Sequence, residues 1–271
     1  MKTLQGKRVL VTGGASGIGR AIAERMAAAG AILELADRNE KALDDAAEAL
    51  RRSGAPVRTH VVDVTDAGQI AALRAAIHAG GGPVDVLVNN AGLVFGGAFL
   101  DVPLEQHMTT YRVNTLGLVA MTHAFLPDLV AGGDGHVVNV ASASAFIGLP
   151  YGATYASSKW AVLGFSESLA LEMELEGHHH VHVTAMCPSY VATGLFDGAR
   201  PPVGTRLLTA ERVAERTVAA VLANRPRVSM PWLAQATPVL KGVAPLRLFY
   251  RVAALLRVNT SMLHWRGRPP R

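Results

Sequence analysis

The sequence predicts an α/β fold: a doubly wound parallel sheet in a single domain, followed by a basic, apolar C-terminal extension. Three observations predict it. Short Val-rich runs alternate with helical patterns over residues 8–223. A glycine cluster, Gly13, Gly14, Gly17 and Gly19, falls directly between the first such run and the first helical pattern. Asn90, Ser142 and Pro188 then follow the fourth, fifth and sixth runs, at the carboxyl edge where such sheets bind their ligands.

The elements follow in order. Arg8–Thr12 (RVLVT) is a short apolar strand, and residues 18–29 carry a helical pattern. Residues 31–36 make a second strand that ends at Asp37, with a helix near 39–52. Strands near 57–62, 84–89, 136–141 and 181–187 continue the alternation with helices near 66–79, 104–130, 153–176 and 209–223. Strands rich in Val with helices between them imply a sheet covered on both faces, and right-handed crossovers wind it in both directions. Residues 225–271 fall outside this alternation: Pro231, Pro238 and Pro245 break the first part, and 246–258 reads as a short helix. The expected division is therefore 1–225 for a catalytic domain and 226–271 for the extension.

At 271 residues and 50% hydrophobic, the chain can bury one large core. The single Cys187 allows no intramolecular disulfide, which suits a reducing compartment. The opening MKTLQGKRVL lacks an apolar signal region, and no apolar run reaches the roughly 18 residues of a membrane span. The expected location is cytoplasmic, with peripheral membrane contact through the extension as a further option. Asn259-Thr260-Ser261 matches a glycosylation sequon and reads as chance. The net charge of +5 hides an asymmetry. No acid follows Glu215, and residues 216–271 hold ten Arg and Lys, so the remainder is mildly acidic.

The chemistry is concentrated in three side chains. Tyr155 and Lys159 lie four apart in a helical stretch, so they share a face. A free phenol, with pKa about 10, is a poor base at neutral pH. A fixed cation nearby favours phenolate, so Lys159 is expected to lower that pKa. A tyrosine tuned in this way can take a proton from an alcohol or return one to a ketone. The hydroxyl of Ser142, thirteen residues upstream, can hold the same oxygen. The missing part is a hydride acceptor.

The N-terminal segment supplies a place for one. Strand, glycine turn and helix N-terminus make a phosphate cradle, in which glycines admit a pyrophosphate and the helix dipole favours its charge. The spacing is T-G-x-x-x-G-x-G over Thr12 to Gly19. Asp37, at the end of the second strand, is placed to take the two ribose hydroxyls of an adenosine. Helix N-capping is its other available role.

These motifs resemble those of the short-chain dehydrogenase/reductase family, in order, over residues 7–223. The resemblance implies a Rossmann-type fold and a role for each matching residue. Gly13, Ser16, Gly17, Ile18 and Gly19 would cradle the cofactor. Asp37 and Arg38 would meet the adenosine ribose, and Asp63-Val64 would flank the adenine. Asn90-Ala91-Gly92 matches the motif after the fourth strand. Pro188, Val191 and Thr193 would close over the nicotinamide, with Ser189 where the family more often has Gly. Asn114, Ser142, Tyr155 and Lys159 would form the catalytic tetrad, with Asn114 in a proton relay and Lys159 also binding the nicotinamide ribose. A looser likeness, carried by TGLF-DGARPP, PW, LKGVAPL and VNTSMLHWRGR, points to the branch of epidermal-type retinol dehydrogenases and hydroxysteroid dehydrogenases. Members of this family commonly form dimers or tetramers through the helices at 104–130 and 153–176.

The expected activity is hydride transfer between a nicotinamide and a lipophilic alcohol or carbonyl. The carboxylate of Asp37 and the uncharged Ser16 favour NAD, whereas Arg38 favours NADP. The pocket is expected from 93–99, 143–150 and 190–202, with Val94, Phe95, Phe146, Ile147, Leu149, Leu195 and Phe196 as its apolar wall. Trp232, Leu233, Leu246, Phe249 and Trp265 of the extension would add to it as a lid. An NADP-linked 3-oxoacyl reductase and a non-catalytic nucleotide-binding scaffold are the rival readings. No metal site is expected: adjacent His178, His179 and His180 cannot all face one ion and read as a solvated turn. Cys187 reads as a small core residue. The basic tail lacks a nucleic-acid module, which leaves a pocket lid or subunit contact first and a lipid surface second.

Overall fold

The computed structural model describes residues 1–267. Its strands are β1 (Arg8–Thr12), β2 (Ile32–Asp37), β3 (Val57–Val61), β4 (Val86–Asn89), β5 (Gly135–Val140), β6 (Val181–Pro188) and β7 (Arg227–Met230). All pair in parallel, in the order β3-β2-β1-β4-β5-β6-β7. Strand order reverses direction between β1 and β4, so a crevice opens beyond their carboxyl ends. The helices are α1 (Gly17–Ala28), α2 (Glu40–Arg52), α3 (Ala67–Gly81), α4 (Leu104–Tyr111), α5 (Leu118–Ala131), α6 (Ala153–Leu175), α7 (Ala210–Leu222), α8 (Trp232–Val243) and α9 (Leu246–Leu255).

Strand residues alternate between two cores, as the pleat requires. Val9 and Val11 face α1, α2 and α7, meeting Ile22, Met26, Leu43 and Val218. Leu10 faces the other way, into the core that α3, α5 and α6 build with Ile77, Phe125 and Leu169. One charged group sits in the middle of the sheet. Glu34 of β2 is fully buried and is met by Arg8 of β1 and His60 of β3. Burial alone would raise its pKa, but His60 and Arg8 hold it below the ordinary carboxylate range.

The structure departs from the sequence expectation in three places. The helix expected at 104–130 is interrupted by a π-helical turn, Arg112–Gly117. Such turns are frequent at functional sites, and this one carries Asn114. The alternation also runs one unit beyond residue 225: β7 adds a seventh strand beside β6. Finally, prolines that read as breaks start helices instead. Pro231 and Pro245 are the N-caps of α8 and α9, where a missing N–H costs nothing, and Pro238 is accommodated inside α8. Leu104–Ala131 is long and apolar enough to cross a membrane by length and composition. Its buried side packs Met121, Phe125 and Leu129 against α3 and α6.

Candidate active site

The glycine turn fits a group that must lie close to the backbone. Gly13 has φ +62°, and a Cβ there would approach Asn90 Nδ2 to 2.8 Å. At Gly19 a Cβ would lie 2.2 Å from the carbonyl oxygen of Gly13. Only glycine permits this closeness, and it brings the N-terminus of α1, with the positive end of its dipole, to the crevice. Ser16 is the N-cap of α1. Ile18 packs with Val191 in one apolar cluster, which links the turn to the segment after β6.

Asn90 locks the turn to β4. Its Nδ2 donates to the carbonyls of Thr12 (3.0 Å) and Gly13 (3.1 Å). The backbone N–H groups of Asn90 and Ala91 donate to Thr12 Oγ1. Asp37 lies at the rim of the turn, where Oδ2 accepts from the Ala15 N–H at 3.3 Å and Oδ1 from the Asn39 N–H at 3.1 Å. It does not cap α2; Asn39 does, accepting from the Ala42 N–H. Arg38, beside it, is exposed. Asp63 Oδ1 accepts from the N–H and hydroxyl of Thr65, and Val64 is buried against Gly117.

The proposed tetrad converges. Asn114 Oδ1 accepts from the Leu93 N–H at 2.8 Å, and its Nδ2 donates to Leu93 O at 2.9 Å and Ser158 Oγ at 3.0 Å. It therefore satisfies backbone groups beside the π-turn, and also stands next to Lys159. A Cβ at Gly92 would lie 3.3 Å from Asn114 Oδ1 and 3.5 Å from Lys159 Nζ. Lys159 Nζ donates to Val140 O at 2.8 Å and lies 5.9 Å from the Tyr155 ring centre. Ser142, two residues past β5, lies beside the Tyr155 phenol and lines the same pocket. Its Oγ accepts from the Ser144 N–H at 3.1 Å.

The electrostatics correct one expectation. Burial dominates Tyr155 and raises its pKa well above the ordinary value; the neighbouring Ser142 hydroxyl opposes this, and Tyr190 adds to it. Lys159 is not what sets the phenol here. Burial lowers its own pKa to about 8, with Cys187 opposing. The site thus holds a neutral phenol beside an ammonium at neutral pH. Cys187 is buried and its thiol is pushed up to about 12, chiefly by burial. A thiolate nucleophile is disfavoured there.

The match to known proteins agrees with this geometry. The short chain dehydrogenase family profile matches residues 7–203, which span the cradle, the tetrad and the segment after β6. The chain belongs to that family. Epidermal retinol dehydrogenase 2 of Mus musculus is 32% identical over 260 residues, covering 95% of this chain and 84% of the relative. Estradiol 17-beta-dehydrogenase 11 of Rattus norvegicus is 33% identical over 246 residues, covering 91% and 82%. Among solved structures, a short chain dehydrogenase/reductase from Burkholderia phymatum in complex with NAD superposes with TM-score 0.82 at 27% identity, covering 100% of this chain and 99% of that one. An alcohol dehydrogenase from Thermococcus sibiricus complexed with 5-hydroxy-NADP gives 0.73 at 28% identity, covering 83% and 96%. This short-chain dehydrogenase therefore has a site for a nicotinamide cofactor, and its glycine turn fits one.

The pocket beside Tyr155 differs in part from the expected one. Ser142, Ala143, Ile147, Leu149, Tyr190 and Phe196 line it as expected. Phe196 meets Tyr155 edge-on at 5.5 Å and Tyr190 at 5.2 Å. Residues 93–99 do not line it. Val94 packs behind Tyr155 with Met262, while Phe99 is exposed and stacked on His107. Phe146 points into another cluster, with the Arg227 guanidinium 5.6 Å from its ring. Apolar character signals burial but does not say in which cavity.

The extension contributes to the pocket wall, through one of the expected residues and several others. Leu233, Ala234 and Thr237 of α8, with Val258 and Ser261, close the far wall. Leu233 matches the expectation; no sequence signal marked Ala234, Thr237, Val258 or Ser261, because the prolines hid α8. Trp232 and Leu246 are exposed, Phe249 is buried elsewhere, and Trp265 packs on Gly96 and donates to Leu195 O at 3.1 Å. Pro188 O accepts from Ser142 Oγ at 3.5 Å, Val191 bridges to Leu208, and the Thr193 N–H donates to Val191 O at 2.8 Å. The histidine run has separate partners: Glu174 for His179, Val130 O for His180 and Asn224 for His182.

Proposed function

We propose that this dehydrogenase interconverts a lipophilic primary or secondary alcohol and its carbonyl, with NAD. The observation that carries the reading is the pocket itself. The Tyr155 phenol and Ser142 hydroxyl face a cavity whose other walls are largely apolar, including Ile147, Leu149, Phe196 and Leu233. Retinoids, steroids and long-chain aliphatic alcohols have the matching chemistry, and relatives named for retinol and estradiol support that class.

The cofactor supplies the hydride acceptor, or in reduced form the hydride. Gly13, Ser16, Gly17, Ile18 and Gly19 hold its phosphates, and Asp37 its adenosine ribose. Asn90, Ala91 and Gly92 with Pro188, Val191 and Thr193 hold the nicotinamide half. Ser142 fixes the substrate oxygen against Tyr155. In reduction, the neutral phenol gives its proton to that oxygen as the carbonyl carbon gains hydride. In oxidation, the phenol first releases its own proton through the Lys159–Asn114 relay to solvent, and the phenolate oxygen then takes the alcohol proton. Lys159 supplies a positive charge beside the phenol and binds the nicotinamide ribose, and Asn114 supports its proton exchange. Asp37 repels a 2′-phosphate, which favours NAD over NADP.

Two surfaces support association. Leu104, Met108, Leu116 and Val119 are exposed along α4, the π-helical turn and α5, with Leu171 and Leu175 on α6, apolar surface suited to self-association into a dimer or tetramer. On α8 and α9, Leu240, Leu246, Leu248 and Leu255 are exposed together with Arg247 and Arg251, a mixture suited to an anionic lipid surface.

The test is Tyr155→Phe, assayed on short and lipophilic alcohols with NAD and NADP. Loss of the acid/base oxygen is expected to cost about 10²–10⁴-fold in kcat while the NAD Kd stays nearly unchanged. Turnover above a tenth of wild type would refute the assignment. Activity confined to short polar alcohols would refute the substrate class.

A further inference from the structure

The pocket at Tyr155 is small, with about 90 Å³ of accessible space. Cavities that enclose a whole ligand usually run to about 300–1,000 Å³. A larger groove of about 530 Å³ adjoins it. Ile147 and Leu149 line both, so the two are separated only by that short stretch of chain. Ala153, Ala156 and Trp160 form the floor of the outer groove, at i, i+3 and i+7 on α6, and Tyr250 of α9 forms the opposite wall. The helix that presents Tyr155 to the inner pocket thus presents an apolar strip to the outer one. That strip runs about 10 Å at 1.5 Å per residue.

The groove is built for hydrocarbon rather than for polar groups. Its Ser157 hydroxyl is already bonded to the carbonyls of Ala153 (2.9 Å) and Thr154 (3.0 Å). Trp160 is held in place: its Nε1 donates to Ser144 O at 2.5 Å, and Lys241 Nζ sits 4.2 Å from its ring centre. Lys241 also donates to Phe146 O at 3.2 Å, which ties α8 to the dividing stretch. Beside that stretch, Tyr151 adopts φ +60°, a left-handed conformation that is strained for a non-glycine residue and clusters at ligand clamps.

We infer that the outer groove is a second substrate chamber, which receives the apolar tail of the alcohol whose oxygen rests on Ser142 and Tyr155. The inner pocket takes the reacting end, and Ile147 and Leu149 select what passes between the chambers. The inference rests on the reading of the enzyme as a lipophilic-alcohol dehydrogenase, and it adds where chain length is measured.

The test fills the groove without touching the catalytic residues. Ala153 is exposed in the first turn of α6, so Ala153→Phe should fold normally. Tyr250→Trp narrows the same groove from the other wall. Either variant should lower kcat/KM for n-dodecanol by about tenfold or more and leave n-butanol within about twofold, since each lost methylene contact is worth a factor of about 10 or more. Binding is measured separately in a Tyr155→Phe background, by the change in Trp160 fluorescence on adding n-dodecanol and its loss in Trp160→Phe. Ala153→Phe should weaken that binding by the same factor. If wild type turns over no alcohol but n-dodecanol still binds at Trp160, the functional reading fails and the chamber stands. Undiminished n-dodecanol kinetics in both folded variants would overturn the chamber. So would a change in oligomer size without a change in chain-length preference, which would mark the groove as an interface between copies.

Discussion

Up to Met230 the large apolar side chains lie mostly under the two faces of a sheet, whereas from Trp232 onward many of them face outward. Val9, Val11, Leu33 and Leu35 are fully buried, but Trp232 is 68% exposed, Val243 76% and Leu255 80%. The charges differ too. Acids of the body pair with bases, as Glu34 does with Arg8 and Asp128 with Arg74. Arg247, Arg251 and Arg257 are exposed on a segment with no acid of its own. The extension is held by its inner side only. Ser261 accepts from the Tyr190 hydroxyl at 2.8 Å and from the Arg200 N–H at 2.8 Å, Leu256 O from the Val203 N–H at 2.9 Å, and Asp197 O from the Arg266 N–H at 2.8 Å. It is thus a cover stitched to the segment after β6, not a second core. If, as proposed, the body sets the chemistry and the cover sets what reaches it, changes in the two regions have different kinetic signatures.

After the loss of Tyr155, the largest effect should come from the body, at the cofactor. Asp37→Ala removes the charge that opposes a 2′-phosphate and leaves Arg38 to meet it. The ratio of kcat/KM with NADP to that with NAD is expected to rise by about a hundredfold, or about 2.7 kcal/mol. Preference among alcohols should not change, because the cover is untouched. A wild type that already prefers NADP, or an unchanged ratio, would show that Arg38 outweighs Asp37.

The same contrast explains what was legible in the sequence. Tyr155 with Lys159, and Gly13 with Gly17 and Gly19, lie at short sequence spacing, so their proximity could be read directly. The strands were legible because burial on both faces demands runs of Val and Leu. The clamp of Asn90 on Thr12 and Gly13 joins residues 77 and 78 apart, and only the motif it belongs to pointed there. The π-turn at Asn114 has no compositional mark. Burial of Tyr155 reversed the expected electrostatics, because spacing gives proximity but not dielectric. The strand β7 is only four residues long, and α8 starts at one proline and contains another. In the cover, one-sided docking leaves no full hydrophobic period, so residue type could not say whether Leu233 or Trp232 faces the pocket.

A smaller effect should appear in the pH profile. Burial depresses Lys159 to about 8, so its charge is complete below that pH and lost above it. Reduction uses the neutral phenol beside that charge. Its kcat/KM is expected to be level below pH about 8 and to fall by up to about tenfold per unit above it. Lys159→Arg keeps a charge past pH about 12 and should move the fall upward, even if its overall rate is lower. A fall at the same pH in both proteins would assign it to another group. Substitutions in the cover should leave the position of the limb alone.

The smallest effects should come from the cover, and they separate its two faces. Leu233 lines the inner pocket from α8, whereas Arg247 and Arg251 lie on the exposed side of α9. Leu233→Ser makes the far wall of the pocket polar. It should raise KM for a polycyclic or long-chain alcohol by about tenfold or less, the cost of one poorer apolar contact, and leave NAD affinity and n-butanol kinetics unchanged. The pair Arg247→Glu and Arg251→Glu should do the reverse. Kinetics in detergent should hold, while cosedimentation with vesicles containing phosphatidylserine is lost, and salt should weaken the wild-type binding in the same way. If Leu233→Ser slows short and long alcohols equally, α8 is not a selective wall. If the wild type ignores anionic vesicles at low salt, the exposed leucines and arginines of α9 serve a protein contact instead, and the cover is a subunit surface rather than a lipid one.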